Sequence, residues 1–324
     1  NMAISKKMRG YLFLTILNIF VIFVIVLIIE SYLNHKYEQW KKHFVSNLDS
    51  QIATFSNNPN LMWENRLNLD SDKIPDVKTN RYGFRDFDYE ITAKPLDVNR
   101  ISFIGDSVTF GLTVKNKSKF TSRFLHYSLE KYPSQEIQPL NHGVNGYNIK
   151  QISELLTARV LEFEPNKVVY VMCLNDFDFG GSSGGLTKYF HKPDNFILSN
   201  IENVYRKVIR IDYHLWHFKK NKQYGFDKII EMNELLNTRN IDFQIVIIPV
   251  FRFENSDKDF NSYPLTELHD AIRKFLTTEN IEFIDLLESF KTQEKPPSFF
   301  SNDIWHPNEE GHDLIARQLI EFVR

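Results

Sequence analysis

The sequence has too few cysteines for a disulfide framework and no excess of basic residues. It has one cysteine, Cys173, in 324 residues, so no disulfide can form within the chain and cysteine usage does not indicate a compartment. Lysine and arginine number 39 against 41 aspartates and glutamates, and this balance leaves no basic surface to suggest a nucleic-acid partner. Internal repeats are absent, and the only low-complexity stretch is a glycine and serine run at 180–185. A chain of this length forms one large domain with appendages or two small domains.

The histidines are too scattered to predict a metal site. Tight two-ligand spacing on a helix is missing at His142, His191, His214, His217 and His312. We therefore expect no metal and no cofactor. Cys173 follows a predicted strand, but no histidine is tied to it by sequence, so we interpret it as a small packing residue and not as a nucleophile.

One long apolar run stands near the N-terminus. It extends over 11–29 and is interrupted only by Thr15 and Asn18. As a helix it would be about 28 Å long, close to the roughly 30 Å hydrocarbon core of a bilayer. No small-x-small cleavage site follows it, so we interpret it as an uncleaved transmembrane anchor. The alternative is a buried core helix.

Charges around this run favour one orientation. Lys6, Lys7 and Arg9 precede it and Glu30 follows it, which places the N-terminus inside and the remainder outside, although lysines between 36 and 42 weaken the asymmetry. The predicted organisation is a cytoplasmic tip and anchor at 1–29, a juxtamembrane helix and connector at 30–97, and an extracytoplasmic domain, periplasmic or on the cell surface, at 98–324.

The region from 98 onward alternates between short apolar runs and amphipathic segments. This alternation predicts an α/β fold in which a central parallel sheet is covered by helices on both faces. The predicted strands are Ile101–Ile104, Glu136–Leu140, Lys167–Met172, Phe243–Ile248 and Ile281–Ile284. The predicted helices are 118–131, 149–163, 226–238, 265–277 and 307–323. The segment 177–224 breaks the rhythm, and we interpret it as a lid-like insertion beside a site.

A serine follows the first predicted strand, at the edge where parallel sheets of this kind bind their ligands. Gly105-Asp106-Ser107 follows the first predicted strand, at the carboxyl edge of the sheet. A plain turn is the alternative, because all three residues are common in turns. A serine nucleophile needs a histidine to accept its proton and a carboxylate to orient that histidine. His306, just before Pro307 at the start of the last helix, and Asp303 have the required types.

An acyl-transfer site also needs donors for the developing oxyanion. Three donors follow predicted strands: the backbone N–H of Ser107, the backbone N–H of Gly146 and the side-chain amide of Asn175. Each of them alone is typical of a turn. Their joint placement at the ends of strands favours an oxyanion hole.

These motifs together resemble those of the SGNH hydrolases, also called the GDSL family. The blocks, in order, are Gly105-Asp106-Ser107 with Gly111, Gly146, Asn175-Asp176 and Asp303-x-x-His306-Pro307. The resemblance covers roughly residues 98–324. It implies a flavodoxin-like, three-layer α/β/α fold and metal-free acyl transfer.

The resemblance also implies a role for each residue. Ser107 would be the nucleophile, His306 the general base and Asp303 its orienting carboxylate, while Gly146 and Asn175 would serve the oxyanion. One departure concerns Cys173, because the family often has glycine two places before the asparagine. A side chain there could narrow the pocket or shift Asn175.

We therefore expect a membrane-anchored, extracytoplasmic serine esterase that cleaves an acyl ester, most simply an O-acetyl ester. The substrate would be a small acyl ester or an acylated glycan. One alternative is an O-acyltransferase that moves acetyl groups to a cell-envelope glycan beside a multi-pass acyl-donor membrane protein. Another is a non-catalytic binding or assembly protein with the same fold.

Overall fold

The chain begins with a single long helix, α1 (Lys6–Ser46). The computed structural model describes residues 6–46, 52–71, 76–88, 94, 97–179, 195–209 and 212–323. Within α1, the segment 8–39 is long and apolar enough to cross a membrane, and its most apolar part is not buried against the rest of the protein. A signal sequence would have the same length and composition. The apolar run and the predicted juxtamembrane helix thus form one continuous helix.

Two small antiparallel pairs follow where the sequence predicted only a loop-rich connector. They consist of β1 (Ala53–Phe55) with β2 (Trp63–Asn65), and β3 (Asp70–Ser71) with β4 (Val77–Lys78). Strands of two or three residues are too short to display the alternating pattern by which strands are recognised.

The central sheet has five parallel strands in the order β6-β5-β7-β8-β9. They are β5 (Val98–Gly105), β6 (Glu136–Gly143), β7 (Lys167–Cys173), β8 (Asp242–Ile248) and β9 (Glu282–Asp285). This is the flavodoxin-like order, in which the first strand of the sheet lies between the second and the third. Every residue of β7 is buried, as expected of a strand covered on both faces.

Helices cover both faces of this sheet. In the described part of the chain the helices after α1 are α2 (Ser107–Phe110), α3 (Phe120–Lys131), α4 (Ile149–Leu155), α5 (Phe196–Val208), α6 (Tyr213–Thr238), α7 (Thr266–Thr278), α8 (Leu286–Lys291) and α9 (Glu309–Phe322). One layer contains α3, α9 and α8, and the other contains α4, α6 and α7. The predicted three-layer α/β/α architecture is confirmed.

The predicted lid differs from expectation. The described parts of 177–224 contain all of α5 and the first half of α6, so this region is largely helical. The glycine and serine run at 180–185 lies outside the described residues. Helix α6 begins at Tyr213 instead of 226 because the Asp212 carboxylate accepts hydrogen bonds from the N–H groups of His214 and Leu215 and caps the helix there.

Candidate active site

The sharp turn between β5 and α2 presents Ser107 as the first residue of a helix. The Asp106 carboxylate caps this helix by accepting a 2.9 Å hydrogen bond from the N–H of Val108. At Gly105 there is no room for a side chain, because a Cβ would lie 2.2 Å from the Thr109 hydroxyl and 2.8 Å from a main-chain carbonyl oxygen of β7. The turn therefore requires glycine and holds a serine that is 8% exposed.

A continuous chain of hydrogen bonds joins Ser107 to the C-terminal loop. His306 Nε2 lies 2.9 Å from Ser107 Oγ, across 199 residues of sequence. On the other side of the ring, Nδ1 lies 2.7 Å from Asp303 Oδ2. The second oxygen of Asp303 accepts hydrogen bonds from the N–H groups of Trp305 and His306, each 2.8 Å long. These two bonds fix the carboxylate so that Oδ2 faces the imidazole.

The electrostatics of this pair suit a general base. Burial alone would lower the pKa of His306, but the hydrogen bond and charge of Asp303, with a smaller contribution from Asp106, raise it above its ordinary value. Burial would raise the pKa of Asp303, but hydrogen bonds from the ring and main chain of His306 lower it to about 2. The carboxylate is therefore ionised at neutral pH and stabilises the imidazolium form.

The two other oxyanion candidates flank Ser107. Strand β5 lies between β6 and β7, so the loops that follow β6 and β7 stand on either side of the serine turn. Gly146 occupies the first loop with a φ of 75°, a conformation that other residues rarely adopt. Asn175 occupies a 3-10 turn, Leu174–Phe177, in the second loop. Its buried Oδ1 has no hydrogen-bond partner among the described residues.

Cys173 packs beneath the turn that carries Ser107. Its thiol is buried and lies 3.3 Å from an oxygen of Asp106. Burial raises the pKa of this thiol well above its ordinary value, and the charges of Asp106 and Asp176 act in the same direction. A protonated, enclosed thiol is a poor nucleophile, which agrees with the interpretation of Cys173 as a packing residue.

Two of the remaining histidines are core residues. His142 and His312 are buried, and burial lowers the pKa of each to about 3. His312 packs at the start of α9, where its Nδ1 accepts a hydrogen bond from the N–H of Phe120. His191 lies outside the described residues. No cluster of three or more metal-ligating side chains occurs in the described part of the chain.

The sequence did not predict that α6 reaches the loop that carries His306. The Tyr213 hydroxyl donates a 2.9 Å hydrogen bond to the buried Asp178, which follows the Asn175 turn. The His214 ring meets the Trp305 ring edge-on with centroids 4.5 Å apart. The first turn of α6 thus contacts both the loop after β7 and the loop that carries His306.

The N-terminal hairpin supports the loop that carries Gly146. Trp63 is fully buried and its indole N–H donates a 2.9 Å hydrogen bond to the carbonyl of Asn145. Asn65 donates a 3.0 Å bond to the carbonyl of Gly143. The residues before 98 therefore help to form the site.

Arg85 supports helix α2, which begins with Ser107. Its buried guanidinium donates to the carbonyl oxygens of Gly111, Phe110 and Val114, which follow Ser107 in the chain. The connector segment 79–86 therefore packs against the turn that carries Ser107 through a buried arginine.

A doubly wound parallel sheet that brings a serine, a histidine and a carboxylate together at the carboxyl ends of its strands has the architecture of a serine hydrolase. Residues 103–314 match the family described as GDSL-like lipase/acylhydrolase. Because the match covers more than half of the sequence, the chain belongs to that family. The predicted family and the predicted ester-cleaving serine hydrolase are confirmed.

Solved structures with a similar fold are distant in sequence. An acetyl xylan esterase shares 15% identity over 69% of this chain and 100% of its own, with a TM-score of 0.47. A catalytic mutant of an acetylxylan esterase from Geobacillus stearothermophilus shares 15% over 69% and 94%, with a TM-score of 0.48. A GDSL-like lipase from Bacteroides thetaiotaomicron shares 15% over 70% and 89%, with a TM-score of 0.40. Comparison with curated proteins finds no match.

Proposed function

We propose that this protein is a membrane-anchored esterase that removes a short acyl group, such as acetyl, through a Ser107 acyl-enzyme. The observation that carries the proposal is the continuous hydrogen-bonded chain from Ser107 Oγ through the His306 ring to Asp303.

The first half-reaction forms the acyl-enzyme. Ser107 Oγ attacks the ester carbonyl carbon while His306 Nε2 accepts the hydroxyl proton, and Asp303 stabilises the charged ring. As the tetrahedral intermediate collapses, the C–O bond to the alcohol breaks and the imidazolium returns its proton to the leaving alcohol oxygen. Ser107 is then esterified.

The second half-reaction regenerates the serine. Water loses a proton to His306 and attacks the acyl carbon, and the serine oxygen leaves with that proton. In both halves the N–H groups of Ser107 and Gly146 and the Asn175 amide would stabilise the oxyanion, each contributing about 3 kcal/mol.

The apolar part of α1 supports anchoring in a membrane. The proposal also places the sheet domain on the extracytoplasmic side and includes no cofactor. We propose an acylated glycan as the natural substrate. Transfer of the acyl group to a glycan hydroxyl is the second candidate. It is favoured by the same helix, because an anchor holds the enzyme near an acyl donor in the membrane.

Labelling with a fluorophosphonate tests the mechanism on the full chain in detergent. We expect the probe to label the wild type and a Ser289→Ala control, whose serine lies on α8 and contacts Gln318. We expect Ser107→Ala to lose the label. An unlabelled wild type would favour the non-catalytic binding protein. A label that survives Ser107→Ala would show that another residue is the reactive nucleophile and would refute the mechanism proposed for Ser107.

Chromogenic esters then separate hydrolysis from transfer. We expect p-nitrophenyl acetate to be cleaved faster than the butyrate and octanoate esters. Adding a glycan acceptor should leave the rate of acetate release unchanged if water is the acceptor. Acetyl groups found on the glycan, with acetate release reduced to match, would establish the transferase instead.

A further inference from the structure

Helix α5 carries an apolar face that the protein leaves open. Its large apolar side chains recur every three or four residues and so lie on one side of the helix. The exposed members are Leu198 at 63%, Ile201 at 58%, Val204 at 61%, Tyr205 at 55% and Val208 at 72%. A contiguous exposed apolar surface of this kind marks an interaction site.

The start of α5 is attached to α1. The Glu30 carboxylate accepts hydrogen bonds from the N–H groups of Phe196 and Ile197, 2.7 and 3.0 Å long. The Tyr37 ring also packs on the Phe196 ring, with centroids 5.7 Å apart. A carboxylate at the N-terminus of a helix satisfies otherwise unpaired N–H groups and complements the helix dipole.

This attachment sets the height of α5 relative to a bilayer. Glu30 is the first charged residue after the apolar run 11–29. Two residues further on, Tyr32 is 55% exposed and the Lys36 ammonium lies 5.3 Å from its ring centre. Tyrosine and lysine are the residues that anchor a transmembrane helix at the interface. Helix α5 therefore begins at the level where the apolar run leaves the membrane.

We propose that α5 is an interfacial helix whose apolar face, defined by Leu198, Ile201, Val204, Tyr205 and Val208, is buried in the lipid surface. The inference rests on the proposed membrane anchoring of α1. At about 20 Å, the helix is long enough to lie along the interface. Lys207, exposed in its last turn, would meet the headgroups of anionic lipids.

The lipid-bound helix is connected to the active site through α6. Glu202 of α5 accepts hydrogen bonds of 2.7 Å from the Trp216 indole N–H and 2.7 Å from the Lys220 ammonium. The same helix α6 contacts Trp305, the neighbour of His306, through His214. Binding of α5 to lipid would hold the catalytic loop at a fixed height above the membrane, where a membrane-borne ester or donor is presented.

Depth-dependent quenching in vesicles tests this arrangement with the full chain. Single cysteines replace Ile201 and Val208 on the apolar face, and Lys274, exposed on α7, as a water-facing control. Ile19→Cys reports on the anchor. Each variant is labelled with an environment-sensitive fluorophore, and the unsubstituted chain corrects for labelling of the buried Cys173. The vesicles contain phosphatidylcholine and phosphatidylglycerol with nitroxide-labelled acyl chains, and iodide serves as the aqueous quencher.

We expect labels at 201 and 208 to be quenched by the nitroxide lipids at least twofold more than the label at 274, and to be protected from iodide. Water-like behaviour at 201 and 208 with strong lipid quenching at 19 would overturn the inference and leave the anchor intact. Absence of lipid quenching at 19 would overturn both. Protection at 201 and 208 from lipid and iodide alike would show a protein partner on this face and also overturn the inference. Hydrolysis of p-nitrophenyl acetate by the same samples reports the esterase independently.

Discussion

Replacing Asp303 with asparagine should impair hydrolysis more than its small change in shape suggests. In the wild type, Nδ1–H of His306 donates to Asp303 Oδ2, which leaves the Nε2 lone pair to accept the proton of Ser107. The other carboxylate oxygen accepts two main-chain N–H groups. In Asp303→Asn those N–H groups keep the amide oxygen in that position, so the NH₂ group faces the ring. The ring must then carry its proton on Nε2, where it cannot accept the serine proton.

The size of the loss follows from the bonds that an amide flip would break. Returning to the active tautomer requires the oxygen to leave both N–H groups, about 1 kcal/mol each in net stability, and leaves donors facing donors, about 1–3 kcal/mol more. The sum is about 3–5 kcal/mol. At about 1.4 kcal/mol per factor of ten, kcat/KM should fall by about 10²- to 10⁴-fold.

The matched variant is Asp303→Ala, in which no amide imposes the wrong tautomer. We expect it to retain at least as much activity as Asp303→Asn, measured as kcat/KM for p-nitrophenyl acetate between pH 5 and pH 9. Because His306 must be neutral to act as a base, the wild-type rate should fall as the pH drops through its raised pKa. Without the carboxylate, burial dominates the pKa, so the acidic limb of Asp303→Ala should shift to lower pH. An Asp303→Asn enzyme with more than a tenth of wild-type activity and an unshifted acidic limb would refute this reasoning.

Two further predictions concern Gly105 and Asp176, which lie next to the Ser107 turn and the Asn175 turn. Gly105→Ala places a Cβ 2.2 Å from a hydroxyl and 2.8 Å from a carbonyl oxygen, so it should lower the free energy of unfolding by about 1–3 kcal/mol and should reduce esterase activity by displacing the serine turn. The control is Gly10→Ala, which meets no atom within 4 Å and should change neither stability nor activity. An unaltered Tm for Gly105→Ala would contradict this prediction. Asp176 accepts hydrogen bonds from the Tyr170 hydroxyl and the Cys173 N–H through one oxygen, and burial raises its pKa well above the ordinary value. Asp176→Asn should therefore keep both hydrogen bonds and nearly the wild-type Tm, whereas Asp176→Ala should lower the free energy of unfolding by about 2–4 kcal/mol. Equal melting temperatures for the two variants would exclude this structural role of Asp176.

The strands were predictable because parallel strands covered on both faces consist of apolar runs. The predicted starts of β6 and β7 match the structure, whereas the predicted start of β5 does not. Strand β5 starts at Val98 and not at Ile101, because the side chain of Arg100 is buried and its charge is met by Gln138 and the carbonyl of Phe163. A polar residue of this kind interrupts the apolar pattern without ending the strand. Its partners are distant in sequence and cannot be read from local composition.

The site residues could be proposed from residue type and from topology. Because carboxyl ends of parallel strands share one edge, Ser107, Gly146 and Asn175 were expected near one another, and the structure places their loops side by side. The contact between Ser107 and His306 required the order of the motifs as well. Their catalytic roles remain predictions until Ser107→Ala and the Asp303 variants are measured.

The supporting contacts had no signal in the sequence because their partners are main-chain atoms. Arg85 donates to carbonyl oxygens, and Trp63 does the same. Every residue has a carbonyl, so no pattern of side chains identifies the acceptor. The amphipathic period of α5 was present in the sequence, but it lay inside a segment interpreted as a lid.

The N-terminal part of the chain contacts both sides of the catalytic centre, and this affects the predicted boundary at residue 98. Trp63 and Arg85 hold the Gly146 loop and helix α2, while Glu30 holds α5, which reaches the His306 loop through α6. Removing residues 1–97 would therefore expose the buried carbonyl groups of the Gly146 loop and of the turn after Ser107. It would also detach α5, and through it α6 and the His306 loop, from α1. We infer that residue 98 marks where the sheet begins and that the esterase site depends on the segments that precede it.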